Sequence, residues 1–255
     1  MRTAGLLGGS CTSRKNPRGL APIPPPRIRG EDKTSPGPPK LVRMRRSTLI
    51  VVALVSLLAF ALLASALAHG HGLYRFERPL LRSLGSPSSV DAWADFADLL
   101  AVPAIIAVFV VTFAFGALRR CLVRVAVYAG FAAVAFLMSE HVAKPLVHET
   151  YNGQLTFPSG NVTAACATAV AMWMALYPRL GRWARIITFA LGTAWVLLMS
   201  LAVVGAHWHT PFDALGSVLL SIGVVTAGAA VYERGANRGA TGAVGEERVL
   251  VGDRR

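Results

Sequence analysis

The sequence predicts an all-α protein: a six-helix transmembrane bundle preceded by a disordered basic tail. Three observations lead there. Apolar residues make up 54% of the 255 and charged ones only 15%, too few for a soluble domain of this length. Six apolar runs each approach the roughly 20 residues that a bilayer-spanning helix needs. The net charge of +13 comes from Lys and Arg placed in tails and short connections rather than on one folded face. That placement is a topology signal and excludes nucleic acid as the partner; the lipid bilayer is the expected one.

In chain order, residues 1–46 are rich in proline ("APIPPPRIRG", "SPGPPK") and carry eleven Lys/Arg, with too few apolar residues to offset the entropy of ordering. They are expected to form a disordered cytoplasmic tail. Met44 opens "MRRSTLIVVALVSLLAFALLASALA", a second candidate start, so translation begins at Met1 or Met44. That run ends in Ala66-Leu67-Ala68, a passable signal-peptidase site. Its apolar stretch, from about Leu49, is longer than the roughly 7 to 15 residues of a signal core, which favours an uncleaved anchor. Residues 70–97 mix Tyr74, Phe76 and Trp93 with charges, and Ser88-x-x-Asp91 resembles a helix start, so an interfacial helix is expected there. Further spans follow at about 99–118, 121–138, 162–177, 184–206 and 214–232. The third contains Arg124, which neighbouring helices or a snorkelling side chain can absorb, and the fourth is short. Gly216 and Gly223 suit close helix packing. The membrane domain is thus 47–232, with a cytoplasmic tail at 233–255. Cys11, Cys121 and Cys166 are spaced for neither a disulfide framework nor a metal site, and no cofactor is implied.

Orientation follows from the basic residues. With the N-terminus inside, the two short inner loops and the C-terminus hold eleven Lys/Arg, against four outside: Arg75, Arg78, Arg82 and Lys144. Both ends are therefore expected in the cytoplasm of a plasma-membrane protein, and residues 139–161 and 207–213 face outward together. Those loops read "SEHVAKPLVHETYNGQLTFPSGN" and "AHWHTPFD" within 139–213. Polar groups at a bundle mouth usually have a task, so a site built from both loops is expected. Taken singly, each residue has a plainer reading: Ser159 or Asn161 as a helix cap, Lys144 paired with Glu140 one turn earlier, His209 as a surface histidine.

Taken together, the loops resemble the type-2 phosphatidic acid phosphatase superfamily, which includes lipid phosphate phosphatases and vanadium haloperoxidases. Its pattern is Lys, six residues, Arg-Pro; then Pro-Ser-Gly-His; then Ser-Arg, five residues, His, three residues, Asp. Lys144 matches the first lysine, Pro158-Ser159-Gly160 most of the second part, and His209 with Asp213 the end of the third. The resemblance covers roughly 48–232. It implies that His209 attacks phosphorus to form a phosphohistidine while Asp213 orients its ring. Lys144 would meet the phosphate, Pro145 biasing it out of the helix and toward the loop. Ser159 and the Gly160 amide would do the same at the head of the fourth span, where unpaired N–H groups favour an anion.

The departures are as informative as the matches. Tyr151-Asn152 stands where the pattern has Arg-Pro, Asn161 where it has its second histidine, and Ala202-Val203 where it has Ser-Arg. An alternative register makes His207 the nucleophile, restoring Ser200 but placing Asp213 two residues too far. His148 or His207 is available to supply the missing proton, and Tyr151 or Asn161 to donate hydrogen bonds. Three functions remain open. One is a membrane phosphatase acting on a phosphate monoester or pyrophosphate of the lipid phosphate class. Another is an impaired relative that only binds an anionic lipid or phosphate. The last is a small transporter or scaffold without a phosphate site.

Overall fold

The computed structural model describes residues 44–69, 87–151 and 154–252, with side-chain surroundings over 44–69, 89–150 and 155–235. The expected disorder up to residue 43, and the charged stretch from 70 to 86, lie outside the described residues.

The described chain is an all-α bundle with one two-residue hairpin. The helices are α1 (Arg46–Ala68), α2 (Pro87–Leu100), α3 (Val102–Leu118), α4 (Leu122–Met138), α5 (Lys144–Val147), α6 (Gly160–Leu176), α7 (Arg182–Gly205) and α8 (Pro211–Gly252). Strands β1 (Thr150–Tyr151) and β2 (Gln154–Leu155) pair antiparallel between α5 and α6. Six helical stretches are long and apolar enough to cross a membrane: Arg46–Ala68, Ser89–Leu118, Leu122–Val147, Gly160–Arg179, Arg182–Gly205 and Pro211–Gly235. The protein is a multi-pass membrane protein.

Of the region expected as an interfacial helix, 70–97, the described part from Pro87 lies in α2, which shares one candidate span, Ser89–Leu118, with α3. Helix α2 runs through a single non-helical residue, Ala101, into α3, and its Trp93 packs on Gly205 of α7. Trp195 of α7 donates its indole N–H to the Leu100 carbonyl, closing that corner.

The fourth span is weakly apolar because α6 is the interior helix, packed against α3, α4, α7 and α8. Ala165, Ala167, Ala171 and Ala175 are buried on it. A helix shielded from lipid needs small packing surfaces more than it needs hydrophobicity. Helix α8 receives bulky partners at its glycines: Leu57 of α1 against Gly223, Phe131 of α4 against Gly228, and Phe157 against Gly216. A Cβ at Gly223 would come within 2.7 Å of Leu57, so each glycine is a socket rather than a hinge.

At the end of the bundle away from the two polar loops, Arg124 is absorbed by its neighbours. Its guanidinium lies 2.7 Å from Glu233 Oε1, faces the Tyr128 ring at 5.1 Å and donates to the Met174 carbonyl at 3.4 Å. Glu233, where a tail was expected to begin, is a buried residue of α8. Arg124→Ala removes this cation from a buried carboxylate and is expected to destabilise the bundle, by up to about 3–5 kcal/mol, whereas Arg124→Met with Glu233→Leu is expected to be less costly. Melting of the purified proteins in detergent checks both.

Candidate functional site

The TFPSGN stretch is clamped to the head of α8. Ser217 Oγ donates to the Ser159 carbonyl at 2.9 Å, as does Thr163 Oγ1 at 2.8 Å. The Ser159 N–H reaches the Asp213 carbonyl at 3.5 Å. Phe157, fully buried, stacks on Phe60 with ring centres 5.6 Å apart and fills the socket at Gly216. One hydroxyl from α8 and one from α6 thus take the Ser159 carbonyl of the turn, the usual way a membrane bundle fixes an irregular segment. The two loops therefore meet at Ser159 and Asp213, residues more than fifty positions apart in sequence.

The second loop is built by two helix-end devices in succession. Helix α7 stops with His207 in the left-handed region, φ 56°. The His207 N–H donates to Val204 O and the Trp208 N–H to Val203 O, both at 3.0 Å, a Schellman closure. Glycine is the ordinary occupant of that position; histidine tolerates it better than most side chains. Helix α8 then starts with a capping box. Asp213 N–H donates to Thr210 Oγ1 at 3.2 Å, and Thr210 N–H donates to Asp213 Oδ2 at 2.9 Å, with Pro211 at the first helical position. Between them sits His209, its Nδ1 3.4 Å from Asp213 Oδ2. The cap fixes the carboxylate, and the carboxylate faces Nδ1, leaving Nε2 as the nitrogen able to attack. It is His209, in the register chosen from the sequence, that approaches Asp213.

The first loop departs from expectation. Lys144 was expected to be biased out of helix by Pro145, yet it is helical, with φ −55° and ψ −51°. The reason is the π-helical turn Ser139–Ala143 just before it, whose wider winding accommodates the proline ring and its missing N–H. Lys144 Nζ lies 2.8 Å from both Glu140 carboxylate oxygens, so the plainer reading of this lysine, a pair one turn back, is also present. Glu140 in turn lies against Gly160, the first residue of α6. The pair therefore sits at the head of α6.

Ser159 occupies the N-cap position of α6 with extended backbone, but its side chain makes no capping bond. Its Oγ is buried and without a hydrogen-bond partner, as are Thr156 Oγ1, His207 Nε2, His209 Nδ1 and Asp213 Oδ1. Buried polar groups are normally satisfied, so these atoms of the two loops are candidates to meet a ligand. Asn161 is half-buried in the first turn of α6. His148 ends α5 in the left-handed region. The Tyr151 side chain lies outside the described residues. What the sequence reading missed is the Thr210-to-Asp213 capping box, whose Thr-x-x-Asp spacing was legible, and the Glu140 contact with Gly160, which is tertiary and was not.

An apolar cavity of about 430 Å³ lies elsewhere, between α1, α6, α7 and α8, lined by residues such as Leu49, Trp173, Phe189 and Ile222. It is lined by no charged group, unlike the two loops.

A solved structure shares this fold. The crystal structure of a transmembrane PAP2-type phosphatidylglycerolphosphate phosphatase from Bacillus subtilis is similar with a TM-score of 0.56, over 71% of this chain and 96% of that one, at 16% sequence identity. No protein-family profile matches the chain, and no curated protein sequence does. The bundle therefore has a PAP2-like membrane fold.

Proposed function

We propose that the protein is a membrane phosphatase that hydrolyses a phosphate monoester or pyrophosphate of the lipid phosphate class, on the extracytoplasmic face of the plasma membrane. His209 Nε2 attacks phosphorus, the bond to the leaving oxygen breaks, and that oxygen departs with or without a proton. Water then attacks the phosphohistidine, its proton goes to a base in the loop, the P–N bond breaks, and phosphate leaves. Asp213 holds the imidazole, while Ser159, the Gly160 N–H and Lys144 face the phosphoryl oxygens. The observation that carries this reading is the approach of His209 to Asp213 at 3.4 Å, on the residue whose carbonyl also meets the Ser159 N–H. Phosphate release by the purified protein, compared with its His209→Ala variant, is the test.

A second reading, an anionic-lipid-binding relative without turnover, is favoured by the pairing of Lys144 with Glu140 and by the absence of both pattern arginines. Retained phosphate affinity without release selects it. The outward face is tested separately: cysteines placed at Gln154 and Gly181 in a cysteine-free background are expected to label from outside and from inside respectively. The reverse labelling overturns the orientation.

A further inference from the structure

The head of α6 already holds an anion. A Cβ built on Gly160 would collide with the Glu140 carboxylate, whose Oε1 and Cδ are its nearest neighbours. The same carboxylate has the Lys144 ammonium 2.8 Å from both of its oxygens. Beside it the wholly buried Ser159 carries an Oγ with no hydrogen-bond partner. A cation and the first turn of a seventeen-residue helix flank a negative group that the protein itself supplies, while the Ser159 hydroxyl makes no bond to it. We infer that Glu140 is the resident occupant of the phosphate cradle: a substrate phosphate reaches Lys144 and the head of α6 only by displacing this carboxylate. Glu140 thereby sets which anions the protein accepts. The inference rests on the reading of the outer loops as a phosphate site.

The charge pattern gives the displacement its consequence. Across 139–161 and 207–213, Lys144 is the one Lys or Arg, against Glu140, Glu149 and Asp213. A phosphate arriving here meets a cation already neutralised, and repulsion from the carboxylate that neutralises it. An intramolecular competitor also acts at a high effective concentration, on the order of millimolar for a short tether. An anion with a single contact gains nothing over it. The ligand class is therefore a phosphate with at least two free oxygens, able to span Lys144 and the Ser159–Gly160 turn together, as a terminal lipid phosphate or inorganic phosphate can.

The test is calorimetric titration of the full chain in detergent, with inorganic phosphate in one arm and a soluble short-chain phosphatidic acid in the other. Glu140→Gln is expected to bind on the order of tenfold more tightly, and Lys144→Gln added to it to remove the gain. Glu140→Asp, which withdraws the carboxylate by one methylene, is expected to gain about twofold or more, and it decides the matter alone should Glu140→Gln fail to fold. A gain in the lipid arm only supports the inference and names the head group as the ligand; a gain with inorganic phosphate only supports it and names the free ion. Unchanged or weaker binding in both arms by variants that melt like the native protein overturns it, even where His209-dependent hydrolysis persists. A gain without turnover in any variant leaves Glu140's role standing and removes the hydrolase reading. Absence of phosphate binding by every variant overturns both.

Discussion

Replacing His209 by alanine is expected to reduce phosphate release to the background without enzyme, a loss on the order of 10³-fold or more, while leaving the fold intact. A nucleophile cannot be replaced by its neighbours, because each remaining group acts on a covalent step that no longer occurs. The fold survives because the His209 side chain anchors neither helix end: its bond to α7, N–H to Val203 O at 3.3 Å, is backbone, the Schellman closure of α7 uses the backbone of His207 and Trp208, and the capping box of α8 uses Thr210 and Asp213. The informative control is His207→Gly. At φ 56° the native histidine holds a conformation that glycine adopts freely, so this variant is expected to melt no lower than the native protein. If His207 were the nucleophile, it would lose all turnover. If it donates the leaving-group proton, it loses turnover of alkyl phosphates alone. With His209 as nucleophile, turnover of aryl phosphates by His207→Gly persists. Turnover retained in His209→Ala combined with full loss in His207→Gly, on aryl substrates, would shift the assignment to the other register.

The bundle was legible because a membrane imposes its signal on every span: a helix must supply about 20 apolar residues whatever it packs against. The one weak span, at α6, was weak for a structural reason, since a helix surrounded by other helices is exempt from facing lipid. The site was legible only where chemistry and chain order coincide. His209 and Asp213 lie one turn apart, so their approach follows from spacing. Lys144 was given the wrong backbone conformation, because the bias of a residue before proline is local, whereas a π-helical turn is set by what the whole segment must pack against. Glu140 could be paired with Lys144 from sequence but not with Gly160, twenty residues away. Asp213 shows how one reading hides another: its catalytic spacing drew attention from the Thr210-Pro211-Phe212-Asp213 cap, which fixes the same carboxylate. The two roles are compatible, since a carboxylate tied down by a cap arrives oriented for the ring beside it.

The remaining large effect is a gain. Asn161 stands where the resembling pattern has a histidine, in the first turn of α6 beside Ser159 and Gly160. An amide hydrogen-bonds a departing oxygen but cannot protonate it, so the native protein is expected to favour aryl phosphates and pyrophosphates, whose leaving groups need no proton. Asn161→His is expected to raise alkyl phosphate turnover toward the low end of the about 10²–10⁴ associated with general acids, and to change aryl phosphate turnover little. Tyr151→Arg acts differently. It restores a cation at the position of a pattern arginine, stabilises phosphoryl charge whatever the leaving group, and is expected to help both substrates, with about 10²–10³ as the scale for one preorganised donor. The two gains need not multiply, because groups that serve one transition state are non-additive. Steady-state rates on a matched alkyl and aryl pair, for both variants and their combination, separate acid from cation. Equal gains on the two substrates with Asn161→His would show that position 161 binds phosphate rather than protonating the leaving group. No gain in either variant, with phosphate still bound, would move the protein to the binding class, where a site short of its acid and both arginines holds a phosphate and does not cleave it.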